Sequence, residues 1–292
     1  MISGAMTAII TPFTKNGEID QNAFDEHIEW QIQEQINGLV VVGTTGESAT
    51  LSHEEHRFLI ERCVQVSNKR VPVIAGAGSN STAEAIDLSL HAQACGADAL
   101  LVVAPYYNKP CQRGLFEHYS AIASAVKIPI ILYNIPSRSV IDILPDTMYK
   151  LKKKHSNIIG VKDATGCLER VAKQRRICGE DFIQLSGNDG SSVAFNAQGG
   201  VGAISVTSNV APKICSQIQA ACAKGDYKEA LRINDKISAL NEALFIEPNP
   251  AGVKYAVSKL GFCTDHVRRP MVELKDETKK KIDEAMAIAG IL

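Results

Sequence analysis

Lys162 closes an otherwise apolar run, Ile158-Ile159-Gly160-Val161-Lys162-Asp163. Residues suited to a buried strand lead straight into an amine. An ordinary lysine in that place snorkels to a rim or pairs with its neighbour Asp163. At the exit of a strand inside a barrel it is partly desolvated instead, which disfavours the ammonium form. An uncharged amine attacks a ketone and makes a Schiff base. Other strand exits fit that chemistry. Tyr133 ends the preceding apolar run, where a phenol could shuttle protons as a carbinolamine forms and loses water. The turn Gly43-Thr44-Thr45-Gly46-Glu47 offers two hydroxyls and glycine-freed backbone N–H groups beside a helix start, a cradle for a small carboxylate. Arg138 could hold a second carboxylate by a bidentate fork. Together these parts suit imine chemistry on a keto acid, which needs no metal and no cofactor. Two other motifs do not redirect it. The histidines of His53-Glu54-Glu55-His56 stand three apart, not four as on a zinc helix, and no third ligand stands out. "GAGSNS" after the third apolar run lacks the last glycine of a dinucleotide turn.

These groups need elements to hold them. Short apolar runs occupy residues 5–10, 38–43, 71–76, 98–104, 128–134, 157–163, 182–187 and 201–206. None alternates with polar residues, as expected of parallel strands covered on both faces. Helix-length segments separate them. Ser52 with Glu55, and Ser81 with Glu84, have capping-box spacing. Leu59, Ile60, Cys63 and Val64 form an inward stripe, and Gly38 and Gly96 stand where a helix would stop. Eight such strand–helix units predict an α/β fold of the (β/α)8, or TIM, barrel type. An open doubly wound sheet is the competitor, but "TPFTKNG" after the first run is no nucleotide turn. From about residue 225 the pattern is helical only. Residues 1–224 are therefore read as the catalytic barrel and 225–292 as a C-terminal helical extension that could also support oligomer contacts.

Composition sets bounds on the whole. The chain has 292 residues, 45% hydrophobic and 22% charged, with a formal net charge of −1. No basic block or acidic tail points to nucleic acid or an anionic membrane. The first ten residues lack a basic start and read as a strand and loop, not a signal peptide. No apolar run is long enough to span a bilayer. Eight cysteines include no C-x-x-C pair, so reduced thiols in a cytoplasmic protein are expected.

"GTTGES", "YYNKP", "YNIPSRS", "GVKDA" and "SGND", in this order and spacing, resemble the dihydrodipicolinate synthase family of pyruvate-dependent class I aldolases. The resemblance covers essentially the whole chain. It implies that Lys162 forms the imine with pyruvate, and that Tyr133, Thr44 and Tyr107 relay protons, Tyr107 reaching into a neighbouring subunit. It implies Thr45 as binder of the pyruvate carboxylate, and Arg138 as receiver of the carboxylate of (S)-aspartate semialdehyde. Gly187 and Ile204 would line the site through their backbones. It further implies a homotetramer built as a dimer of dimers. Feedback inhibition by L-lysine is implied at Ser48, Ala49, His53, His56, Asn80, Glu84 and Tyr106. There Glu84 would meet a ligand ammonium, while Asn80 and Tyr106 supply neutral hydrogen bonds. A sister aldolase that cleaves a sugar acid, such as N-acetylneuraminate lyase, would share Lys162 and Tyr133; Arg138 and Tyr107 fit the synthase.

Overall fold

A computed structural model describes residues 2–292. Eight parallel strands close into a barrel in chain order: β1 (Gly4–Ala8), β2 (Gly38–Val41), β3 (Val73–Gly76), β4 (Ala99–Val103), β5 (Ile130–Asn134), β6 (Ile158–Asp163), β7 (Ile183–Ser186) and β8 (Gly202–Ser205). β8 returns to β1 with Ala5 opposite Ala203 and Met6 opposite Ile204. The strands are slightly shorter than the apolar runs. The runs continue into loops that are also buried, as at Ile9 and Ile10.

The pleat explains the continuous apolar runs. Met6, Val40, Ile131, Tyr133, Leu185 and Ile204 point into the barrel and pack on one another. Their chain neighbours Ala5, Leu39, Val41, Ile130 and Leu132 point outward, against the helices. Both faces are dry, so both need apolar residues. The same parity acts on β6. Val161 faces the helix layer, so Lys162 faces the barrel and Asp163 faces out again.

The helix layer comprises α1 (Gln21–Gln33), α2 (His53–Ser67), α3 (Thr82–Ala94), α4 (Gln112–Ala125), the single turn α5 (Pro136–Ser139), α6 (Pro145–Lys154), α7 (Glu169–Cys178), α8 (Ser192–Ala197) and α9 (Pro212–Ala223). The capping box of Ser52 and Glu55 forms at the start of α2, and Leu59, Ile60 and Cys63 are fully buried, with Val64 at the edge of the same cluster. Two expectations need correction. Ser81 precedes α3 without a side-chain cap, because Glu84 turns to the hydroxyl of Ser79 and to His53 instead. Gly38 stops no helix. It begins β2, where a Cβ would lie 2.9 Å from Met6 Cγ, and Gln35, with φ 66, takes the left-handed position after α1. Gly96, with φ 85, does end α3.

Four helices complete the chain: α10 (Tyr227–Asn234), α11 (Ser238–Ala243), α12 (Ala251–Lys259) and α13 (Asp276–Ile288). Ala230 and Ile233 of α10 join the apolar layer outside the barrel. α11, α12 and α13 enclose a second cluster that includes Ile10, Val206 and Val210 from beyond the C-terminal ends of the strands. All eight cysteines are unpaired.

Burial of three histidines gives the fold a pH dependence. Desolvation pushes His27, His56 and His118 down to about 4, from 6.5. The unfolded chain takes up their protons as pH falls through 6.5, while the folded chain refuses them until about 4. Stability is therefore complete above pH 6.5 and is lost between 6.5 and 4. From pH 7 to 5 each histidine should remove about 1.5–2 kcal/mol. Urea midpoints measured across this range should fall with acid, and His118→Gln should make the slope shallower by about one proton. A flat midpoint from pH 7 to 5 would contradict this.

Candidate active site

Lys162 is only 6% exposed although it stands next to last in β6. Its Nζ lies 4.3 Å from the centre of the Tyr133 ring, and the two residues are direct partners across β5 and β6. Asp163 is not its counter-ion. The carboxylate of Asp163 accepts from Thr165 N at 2.9 Å, Thr165 Oγ1 at 2.6 Å, Arg170 Nε at 3.1 Å and Gln174 Nε2 at 2.7 Å. Strand parity thus separates an inward amine from an outward carboxylate that anchors α7.

A cavity of about 520 Å³ opens at the C-terminal ends of the strands, and of the inward pair Tyr133 lines it while Lys162 lies behind the wall, at the end of the barrel where folds of this type keep their chemistry. Thr44, Tyr133 and Arg138 form part of its wall. Thr45 is buried behind it, with its hydroxyl accepting from Asn249 Nδ2 at 3.0 Å. Arg138 is exposed on α5, and its Nη2 donates to the Asn249 carbonyl at 3.3 Å. Ile204 packs inside the barrel with Tyr133. Gly187 follows β7 and donates its N–H to the Asp163 carbonyl at 2.7 Å. Tyr107 stands apart from the rest. It is 90% exposed and holds φ at 73°, a costly conformation for an aromatic residue on a loop.

Ser48, Ala49, His53, His56, Glu84 and Tyr106 line the other end of the same cavity. His53 Nε2 lies 2.8 Å from Glu84 Oε1 in a largely exposed pair. Ser79, and then His53, hold the Glu84 carboxyl below its ordinary range. Asn80 does not reach the wall; its amide donates to the Tyr106 carbonyl at 3.1 Å and steadies that loop.

The groups that fix the Thr44–Thr45 turn come from far along the chain and were not anticipated. Glu47, with φ 55, is buried. Its Oε1 accepts from Lys254 Nζ at 2.7 Å and its Oε2 from the Arg268 N–H at 2.9 Å. Arg268 also forks onto Glu55, at 2.6 Å and 2.5 Å. Asn249, Lys254 and Arg268 have no local sequence signal, because they act only through residues about 200 positions away.

An inward lysine beside an inward tyrosine, under an anion-ready turn at the strand exits, is the layout of an imine-forming barrel aldolase. The chain belongs to the dihydrodipicolinate synthetase family, whose model matches residues 1–289. It is 61% identical over 292 residues to the 4-hydroxy-tetrahydrodipicolinate synthase of Bartonella henselae, covering 100% of this chain and 99% of that one. Its fold superposes, with a TM-score of 0.98 and 42% identity over 100% of both chains, on a chloride-inhibited dihydrodipicolinate synthase from Acinetobacter baumannii complexed with pyruvate. It likewise matches the synthase from Cyanidioschyzon merolae with lysine bound, at TM-score 0.96 and 36% identity over 99% of each chain. No helix among the described residues is long and apolar enough to cross a membrane.

Proposed function

We propose that this chain is a 4-hydroxy-tetrahydrodipicolinate synthase, a lyase that condenses pyruvate with (S)-aspartate 4-semialdehyde in the first committed step of diaminopimelate and lysine biosynthesis. The buried Lys162 amine against Tyr133 carries this reading. Lys162 attacks the pyruvate ketone, and Tyr133, Thr44 and a partner subunit's copy of residue 107 pass the protons that let water leave. The protonated imine acidifies the pyruvate methyl group. The enamine that remains attacks the aldehyde carbon, and the aldehyde oxygen takes up a proton. The substrate's own amine then displaces Lys162 by transimination and closes the ring. Thr45 and its turn hold the pyruvate carboxylate, Arg138 receives the second carboxylate, and Gly187 and Ile204 shape the floor. The strained, outward Tyr107 supports a role across a subunit interface, within a tetramer of the 31.5 kDa chain. The sugar-acid-cleaving alternative is disfavoured by Arg138 on the cavity wall and by the name of the 61% identical relative. Borohydride added with pyruvate should reduce the imine and leave a mass-tagged peptide containing Lys162. An untagged Lys162 under those conditions would end this reading.

L-lysine is the proposed inhibitor at the far end of the cavity. Its ammonium would displace His53 from Glu84, exchanging an exposed histidine pair for a charge-assisted hydrogen bond. Glu84→Gln should raise the concentration of L-lysine that halves the rate by at least ~10-fold, each enzyme being compared with its own uninhibited rate. An unchanged dose response would move the inhibitor elsewhere.

A further inference from the structure

A second convergence of reactive side chains lies on the outer helix layer, away from the strand exits. Glu61 on α2 meets His91 and Cys95 at the end of α3. His91 and Cys95 share one helix face because they are four residues apart, and the Cys95 N–H donates to the His91 carbonyl at 3.0 Å. Gly96, at φ 85, turns the chain away immediately afterwards. Cys95 also packs at the edge of the apolar layer.

Three particular atoms face one another. Cys95 Sγ lies 3.2 Å from His91 Nε2 and 3.9 Å from Glu61 Oε1. His91 Nε2 lies 3.5 Å from the same Glu61 Oε1. A tetrahedral zinc ion, with bonds of about 2.3 Å to sulfur and about 2.0–2.1 Å to nitrogen and oxygen, spaces its ligands by roughly 3.3–3.6 Å. The observed triangle brackets those edges, so an ion fits with little side-chain movement. One sulfur, one nitrogen and one oxygen donor suit a borderline-soft divalent ion rather than magnesium or calcium.

We propose that Glu61, His91 and Cys95 form a divalent metal site of the zinc class, with its fourth position open to water. Burial, and then the Glu61 carboxylate, hold the Cys95 thiol above its ordinary range in the metal-free chain. Coordination displaces that proton to solvent and leaves a bound thiolate. The ion touches no residue of the reaction. It ties α2 to α3, the two helices whose opposite ends carry His53, His56 and Glu84, and so braces the helix pair beside the inhibitor end of the cavity.

Chelator-treated full-length protein titrated with Co²⁺ tests the site. The expected result is one Co²⁺ per chain, with a thiolate-to-cobalt charge-transfer band and visible bands of four-coordinate intensity, all abolished by Zn²⁺. Cys95→Ser should lose the charge-transfer band, and His91→Gln and Glu61→Gln should each weaken binding at least ~100-fold. Cys111→Ser and Cys167→Ser, at the two exposed thiols, should keep it. Zn²⁺ should raise the melting temperature of the parent chain but not of the Cys95→Ser chain. No band in the parent, a band that survives Cys95→Ser, or one lost with Cys111→Ser or Cys167→Ser would overturn the assignment. Melting curves of the metal-free variants distinguish loss of a ligand from loss of the fold.

Discussion

Lys162→Ala is expected to lower kcat/KM for the condensation by roughly 10⁴-fold, about 5.5 kcal/mol of transition-state stabilisation, while the fold survives. The proposed role of Lys162 is covalent. Without the amine no imine forms, and the pyruvate methyl group keeps the acidity of an ordinary ketone. On the proposed reading, binding and orientation would remain, since the hydrogen bonds of Thr45 and Arg138 do not involve the lysine. Lys162→Arg should fail as badly, because a guanidinium keeps the positive charge but does not condense with a ketone. That comparison separates a nucleophile from a merely electrostatic group. Steady-state rates with both substrates, together with thermal melts of each variant, check it. An arginine variant retaining more than about a tenth of the activity would rule out the covalent role.

Lys254→Met should produce the second large effect, this time on stability. Lys254 is fully buried and its Nζ sits 2.7 Å from Glu47 Oε1 and 4.1 Å from the centre of the Phe13 ring. Burial pushes the Lys254 ammonium below the usual lysine range, and Glu47 opposes that push. Removing the lysine strands the Glu47 carboxylate in a dry site, which costs about 3–5 kcal/mol. Urea unfolding should register that loss. Because methionine fills much of the lysine's volume, a cavity is a minor part of it. Adding Glu47→Gln should recover more than half, since a neutral amide can still accept from the Arg268 N–H. A single variant within about 1 kcal/mol of the parent would show that the pair contributes little net stability. On the proposed reading the position also bears on catalysis, because Glu47 ends the turn that carries Thr44 and Thr45. A looser turn should raise the KM for pyruvate more than it lowers kcat.

β5 and β6 are legible in the sequence as consecutive apolar runs, and barrel closure makes consecutive strands neighbours, so Tyr133 and Lys162 stand side by side as their spacing implies. Ser81 and Glu84 depart from their capping-box spacing. That spacing is a local rule, and Glu84 has other partners in Ser79 and His53. Gly38 departs for a related reason. The glycine answers to the close approach of Met6 from β1, not to the helix before it. Asn249, Lys254 and Arg268 carry no local signal, because their partners Thr45 and Glu47 lie about 200 residues away.

Read as a linear string, the chain already declared eight strands buried on both faces, the amine and phenol at the ends of two of them, and the turn with two hydroxyls. Those features are written in local composition and in the order of apolar runs and turns, which need no knowledge of distant contacts. Folding alone decided that Lys162 faces inward while Asp163 anchors a helix, that Thr44 and Arg138 share one cavity with His53 and Glu84, and that the C-terminal segment holds the Thr44–Thr45 turn. Each of these depends on charges and hydrogen bonds brought together across the whole chain, and electrostatics acts through space, not along the sequence.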